Sequence, residues 1–559
     1  MSAMASAGAR LRTLYEAEWA WRLDQFADVT GLDVGVDPDR PLYAKLPDAS
    51  SAAQAARLAY WRRVADDLDH IDPDELSGRD RLDYRVYRDQ IAALLERQVW
   101  RDFEAPLNAD SAFWSETAAI ARRPMRQAGD HERWIAQMRD LPRYFGEMTE
   151  QMRAGLRRGF TPPRVTLDGR ESAIRAVAEA PPEASVYFTP FRAAPVTDAL
   201  RGEALSVIAK AVAPAHRELL RFFEEEYRPG CRETLAAADL PEGRAYYLSK
   251  VREHTTEDRS PEDIHAFGRS EVARLRTQMS DAMAETGRPG SLAAFAAFLR
   301  ADPQFYARSG EELLMRAAWI AKSFDAVAAG YFGKLPRARF AIRPVPAEIA
   351  PYYTAGRGGP GVYLLNTYRP ETRPLYSLPA LTLHESAPGH AFQIALAMED
   401  EALPAFRRQT YLPAYAEGWA LYCEHLGLEM GLYATPYERF GMLAYQVWRA
   451  ARLVVDTGVH WLGWGRDEAI AYLADNTTLP RHEIVSEVDR YISWPGQALS
   501  YYLGEACIRD CRHRAEVALG SRFDIRGFHD MVLALGSVPL AVVREATDHF
   551  ISAHAPSAP

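Results

Sequence analysis

His384-Glu385-Ser386-Ala387-Pro388-Gly389-His390 places two imidazoles and a carboxylate inside an apolar stretch, Leu378 to Met398, that otherwise reads as a buried helix. Burying such groups without partners is costly. A divalent metal would use all three, with the imidazoles as ligands and the carboxylate as a base beside a water on the metal. The common zinc-peptidase pattern, His-Glu-x-x-His, keeps its histidines four apart on one helix face. In this chain the second histidine comes six residues on. That is about 600° around an ideal helix, so the two side chains would diverge by about 120°. Pro388 and Gly389 offer the escape. Proline lacks the N–H that would bond the His384 carbonyl and clashes with it, so the helix must widen or kink. Glycine tolerates the angles of a widened turn. The segment is expected to bulge and return His390 to the face of His384. The alternative is a kinked core helix with two hydrogen-bonded histidines.

A catalytic zinc takes three protein ligands and keeps one position open. Tyr415 to His425 reads as a second, largely apolar helix whose acids need partners. Glu417, 27 residues after His390, is the expected third ligand. Glu424, two turns on, is an alternative ligand or an outer partner that orients an imidazole. Further on, Glu487 to Tyr502 gathers Arg490, Gln497 and the tyrosines Tyr491, Tyr501 and Tyr502 around Pro495-Gly496. A tyrosine hydroxyl could steady the oxyanion of an attacked carbonyl. Arg490, with Gln497 near it, could clamp a substrate carboxylate. A packed helical core is the other reading of this set. Arg452, Asp456 and His460 form a further polar group on an apolar helix, which a buried network explains as well as a site does.

Helical periodicity supplies the elements that must position these residues. Apolar residues recur three and four apart over Leu11–Phe26, Ala52–Ile71, Asp80–Phe103, Gly129–Gly159, Asp198–Tyr227, Pro261–Thr286 and Gly310–Gly330. Ser260-Pro261-Glu262-Asp263 is a helix start, with serine as cap and proline in the first position. One stretch breaks the pattern: Arg339–Val345 and Val362–Asn366 are β-like, with a glycine-rich segment between them. A small antiparallel sheet is expected there, just before the metal helix. Its edge could take an extended peptide as an added strand, or the hairpin could simply cap the helical core.

The 559-residue chain is 48% hydrophobic and 25% charged, as a folded protein with room for more than one core would be. A formal net charge of −10 and a pI of about 5.9 leave no basic footprint for nucleic acid or an anionic membrane. No uncharged apolar run reaches about 18 residues, so no membrane-spanning helix is expected. Met1 to Arg12 lacks the apolar core of a signal peptide, and a cytoplasmic location is expected. Four cysteines make no disulfide framework, and Cys507 and Cys511 are expected as buried free thiols.

These blocks resemble a large bacterial family known as DUF885, whose signature is a His-Glu-x-x-Pro-Gly-His helix. The likeness is carried by His384 to His390 and by Glu417-Gly418-Trp419-Ala420. It extends through Arg452 to Gly458, Glu487 to Tyr491, Pro495 to Tyr501 and Phe528-His529-Asp530, and more loosely through the amino-terminal half. The family is similar to helical zinc peptidases with a deep cleft, the oligopeptidase and angiotensin-converting-enzyme-like group. The resemblance implies zinc on His384, His390 and Glu417, and Glu385 as general base. It also implies Asn366 and its strand flanking the substrate, and Tyr501, or Tyr491, as the oxyanion donor.

The expectation is a mainly α protein, zincin-like, with a deep cleft and a small antiparallel sheet beside the metal helix. Residues 1–335 are expected as a helical amino-terminal part and 336–559 as the zinc-binding part, whether or not the two are continuous. The chemistry expected is zinc-dependent hydrolysis of peptide bonds in short peptides, with no nucleic-acid or membrane partner. A zinc-dependent hydrolase of a small non-peptide amide and a non-catalytic helical binding protein are the alternatives.

Overall fold

The apolar spacing becomes helix wherever it was read, in a computed structural model that describes residues 6–29, 40–109, 111–127, 129–192, 196–347 and 349–555. Ala7–Phe26, Ser51–Asp69, Gly78–Trp100, Asp130–Arg158, Pro261–Glu285 and Gly310–Tyr331 are all α-helical. The Asp198–Tyr227 segment forms with two widened turns, at Ile208–Val212 and Phe223–Tyr227. Ser260 caps its helix by accepting the Asp263 N–H. The fold is mainly α.

The chain divides into two units. The first comprises Met1–Tyr246, Ala405–Tyr411 and Ile492–Trp494. Its core gathers around the long helix Asp130–Arg158, where Trp134 stacks on Tyr187 and Phe145 meets Phe113 edge-on. Arg407 is buried in an ion pair with Asp83.

The second unit comprises Tyr247–Pro404, Leu412–Tyr491 and Pro495–Pro559, and it holds every candidate site residue. The break falls at Tyr246 rather than at residue 335. Its helices include α1 (Pro261–Glu285), α2 (Gly310–Tyr331), α3 (Leu378–Glu385), α4 (His390–Glu399), α5 (Pro413–Glu429), α6 (Pro436–His460), α7 (Arg481–Ser493) and α8 (Ser500–Leu519). The reason for the earlier break is that α1 lies along α6: a Cβ on Gly268 would stand 2.7 Å from Cβ of Leu453. The long helix before residue 335 thus shares its core with the candidate site.

The sheet differs from the antiparallel pair expected. Strands β1 (Ala341–Pro344), β2 (Gly356–Gly359) and β3 (Val362–Leu365) lie in the order β1-β3-β2. β1 and β3 run parallel, because the glycine-rich segment is itself a strand and takes the antiparallel place beside β3. Tyr363 and Leu365 of β3 alternate inward onto a core with Leu313 and Ala317 of α2 and Leu378 and Leu381 of α3. The sheet is thereby fixed against α3.

α5 and α8 cross at glycine. A Cβ on Gly504 would lie 1.9 Å from the Ala414 carbonyl oxygen and 2.8 Å from Cα of Gly418. Gly504→Ala should therefore destabilise the protein by about 1–3 kcal/mol or more through overpacking. Gly202→Ala, on a helix where a Cβ would meet nothing within 4 Å, should stabilise by roughly 0.5–1 kcal/mol. Urea denaturation of the two variants tests this, and effects of the same sign would refute the close crossing.

Candidate metal centre

α3 ends at Glu385 and α4 begins at His390, so the bulge expected from the sequence is a full break. The Ala387–Pro388 peptide is cis. Across the break the Gly389 N–H donates to the Leu383 carbonyl at 3.0 Å and the Phe392 N–H to that of Ser386 at 3.1 Å. The Trp419 indole N–H caps the Pro388 carbonyl at 2.8 Å. Gly389 allows a close approach, since a Cβ would lie 1.9 Å from the His384 carbonyl oxygen. The break still achieves what the spacing required. The His384 and His390 rings stand 4.9 Å apart, centroid to centroid.

Glu417 on α5 meets both histidines. Its Oε2 is 3.4 Å from Nε2 of His384 and 3.4 Å from Nε2 of His390. Tetrahedral zinc with bonds of about 2.0–2.2 Å sets its ligand atoms about 3.4 Å apart, so this donor set fits the ion in both chemistry and spacing. It is the only such group of histidine, cysteine and acidic side chains among the described residues. Both histidines are buried and Glu417 is half-buried. Burial alone would lower the His384 pKa, but the Glu417 and Glu424 carboxylates lift it to about 9. Burial would raise that of Glu417, yet His390 and His384 hold it well below the usual carboxylate range. Such mutual pull among buried groups is what a cation replaces.

Glu424, one of two acids the sequence left open for the third ligand, takes the outer place. Its Oε1 faces Nδ1 of His384 at 2.8 Å. That leaves Nε2 for a metal, the tautomer-fixing arrangement common behind zinc histidines. Glu424 is itself fully buried, with Nη2 of Arg449 3.8 Å away and the Tyr433 hydroxyl donating to its backbone carbonyl.

Glu385 is aimed by the sheet. The Gly358 N–H of β2 donates to its Oε2 at 2.6 Å. Only glycine allows the approach, since a Cβ at residue 358 would lie 2.0 Å from the Glu385 carbonyl oxygen and 2.9 Å from Cβ of His390. The strand thus reaches the site through its backbone.

The remaining candidates separate. Asn366 is fully buried, and its amide donates to the carbonyls of Ala350 at 2.9 Å and Tyr353 at 3.0 Å while its oxygen accepts the Tyr368 N–H at 3.0 Å. It braces the loop before β2. The Tyr491 hydroxyl donates its one proton to Glu487 at 2.6 Å and accepts from Arg452 and Trp448, each at 3.0 Å. It has none left for an oxyanion. Arg490 donates to Glu487 at 3.2 Å and to Gln497 Oε1 at 2.6 Å, so these two are bound to each other rather than presented as a clamp. Burial would raise the Glu487 pKa, but Arg490, Arg452 and Tyr491 bring it down to about 2. Asp456 accepts the Tyr247 hydroxyl at 2.6 Å, and His460 bonds the Tyr491 carbonyl at 2.8 Å, so the 452–460 set is a buried network. Tyr501 is different. Its ring lies under the Arg452 guanidinium at 4.4 Å, its hydroxyl donates to no acceptor among the described residues, and after burial the charge of Glu417 is what raises its pKa most.

Sequence reasoning missed Gly358, Arg449 and Tyr445. Tyr445 lies over the Arg449 guanidinium at 4.6 Å; burial and then the charges of Glu424, Glu483 and Glu385 raise its pKa, against Arg449. The spacing Tyr445, Arg449, Arg452 along one helix face was the available signal.

Glu505, next to Gly504, is buried, with neither oxygen in a hydrogen bond among the described residues; Arg509 stands 3.5 Å away. Burial, opposed by Arg509 and aided by Glu424, pushes its pKa up to about 7. A carboxyl raised on folding stabilises fully below its unfolded pKa, and that stability is lost as pH rises through the folded value. Glu505→Gln should thus gain on the wild type between pH 5 and pH 8, by on the order of 3 kcal/mol. Denaturation midpoints at both pH values test this, and a pH-independent difference would refute it.

Among solved structures, the chain is similar to a protein described as a lipoprotein candidate from Colwellia psychrerythraea, with 25% identity, a TM-score of 0.88, and 98% of this chain and 100% of that one covered. It also matches a lipoprotein candidate of unknown function from Shewanella oneidensis, at 16% identity and a TM-score of 0.69 over 97% of this chain and 99% of that one. The second likeness is one of fold. No curated protein matches. Residues 29–546 match the family described as "Bacterial protein of unknown function (DUF885)", and the chain belongs to that family.

Proposed function

We propose that this protein is a zinc-dependent hydrolase of peptide bonds in short peptides. The observation that carries this reading is the meeting of three ligand atoms within 4.8 Å of one another, with Glu417 3.4 Å from each imidazole nitrogen, beside Glu385, which directly follows His384 and is pinned by one oxygen. A zinc ion held by His384, His390 and Glu417 would supply a bound water of lowered pKa and a Lewis-acid contact for the scissile carbonyl. Glu385 takes the proton of the attacking water on the oxygen that Gly358 does not engage, and returns it to the leaving amine nitrogen. Tyr501 donates its hydroxyl proton as a hydrogen bond to the oxyanion. Glu424 keeps His384 in the tautomer with Nε2 free.

Purified protein supplied with zinc and freed of excess should retain close to one zinc per chain by elemental mass spectrometry. Glu417→Ala should lose it. Glu385→Gln should keep the zinc and lose roughly 10²–10⁴-fold in kcat on a panel of short peptides. A protein that holds no zinc, or an active Glu385→Gln, would sink the mechanism. Cleavage confined to non-peptide amides in the same panel would keep the chemistry and overturn the substrate class. A cytoplasmic location is part of this proposal, and enrichment of the protein in a membrane fraction would refute it.

A further inference from the structure

α6 carries Tyr445, Trp448, Arg449 and Arg452 close together. The Arg449 guanidinium lies over the Tyr445 ring at 4.6 Å and the Trp448 ring at 4.5 Å. That of Arg452 lies over Trp448 at 4.4 Å and over Tyr501 of α8 at 4.4 Å. Ring and guanidinium thus alternate from Tyr445 to Tyr501. Ring faces hold a guanidinium by its flat sides and leave its in-plane N–H groups free to bond.

Those N–H groups are only partly used. Arg452 donates through Nε to the Tyr491 hydroxyl at 3.0 Å and through Nη2 to Glu487 at 3.2 Å, but its Nη1 is buried and meets no acceptor among the described residues. Arg449 is used less. Its Nη2 stands 3.8 Å from Oε1 of Glu424, beyond hydrogen-bond reach, and its Nε and Nη1 are buried without an acceptor among the described residues. Oε2 of Glu424 is also bare, but one oxygen cannot serve three nitrogens on two side chains. Other arginines among the described residues that leave a buried nitrogen bare do so at Nε alone; in these two it is a terminal Nη. The two residues are 6% and 3% exposed, so bulk water does not reach them freely. Leaving buried charged donors bare is costly, and an anion is what removes the cost. The ladder also borders the metal centre at both ends. Beside Arg449 is Glu424, which meets Nδ1 of His384 at 2.8 Å, and beside Arg452 is Tyr501.

We propose that Arg449 and Arg452 bind the free carboxyl terminus of the peptide substrate, so that the protein cleaves at the carboxyl-terminal end of short peptides rather than within chains. The cleavage rests on the hydrolase reading; the anion site stands on the bare donors. A carboxylate accepts charge-assisted hydrogen bonds from both guanidiniums. A carboxamide keeps one acceptor oxygen and sets an NH₂ donor against donors. The carboxylate clamp expected of Arg490 thus falls to its neighbours on α6.

Zinc-loaded Glu385→Gln protein, chosen to bind without turnover, tests it by retention of N-acetylated tripeptides read by mass spectrometry. The peptides carry free carboxyl termini, carboxamide termini, or carboxamide termini with one Asp or Glu side chain. Free acids should be held about ten- to a hundredfold more tightly than their amides. Arg449→Met, which removes the less engaged side chain, and Arg452→Lys, which keeps the charge facing Glu487, should each cut that preference about tenfold, with folding checked by circular dichroism. Equal retention of acids and amides overturns the proposal, as does a preference that both folded variants keep, or the retention of no peptide at all. Acidic side chains that rescue the amides fully would reassign the site to side-chain carboxylates and overturn the terminal reading. In the wild-type assay, amidating a cleaved peptide should raise KM about tenfold with kcat within about twofold. If the wild type cleaves nothing, the hydrolase reading falls and retention alone decides the anion site.

Discussion

Two glycines in contact determine how close the site's helices can come. Gly418 and Gly504 let α5 and α8 pack backbone to backbone, at a separation any side chain would forbid. Glu417 precedes the first glycine by one residue and Tyr501 precedes the second by three. The crossing therefore brings a carboxylate and a phenol from distant parts of the chain to one place. A similar economy of atoms recurs on the other side. Gly389 lets α4 start against the last turn of α3, and Gly358 lets β2 touch both. The site is assembled by removing Cβ atoms at the contacts that matter and leaving the ligands on rigid helices.

Charge is the second constraint. Glu417, Glu424, Glu487 and Asp456 all lie within the second unit's interior or at its margin, and buried carboxylates need compensation. Each finds it differently. Glu417 has two imidazoles, Glu424 has an imidazole and Arg449, Glu487 has Arg452 and Arg490, and Asp456 has a phenol and a backbone N–H. Only the first of these sets converges three ligand atoms on one point. The others close on themselves as structural networks. That contrast separates a metal site from the polar scaffolding around it.

Much of this was legible in the sequence because the signals are local. Helix periodicity located the long helices to within a few residues, and His384, His390 and Glu417 announced themselves as costly groups in apolar surroundings. What was not legible depends on who meets whom. A proline and a glycine say that a helix is interrupted, not whether it bulges or ends. Two β-like runs flanking glycines say hairpin, until the glycines form a strand of their own at the sheet's edge, antiparallel to β3, and leave β1 and β3 parallel. Asn366 and Tyr491 carry the right chemistry for substrate contact, yet their donors are already engaged by carbonyls and a carboxylate that no spacing rule predicts. Gly358 was unreadable for the opposite reason: its contribution is a backbone N–H, which every residue but proline has.

That N–H has a structural consequence of its own. β2 is an outer strand of its sheet, and outer strands expose unpaired backbone groups that invite association with other chains. The Glu385 carboxylate occupies the Gly358 rung of this edge. A foreign strand seeking to pair there must displace a half-buried carboxylate to reach the amide. The same side chain that stands ready beside the histidines thus guards the open border of the sheet against misassembly.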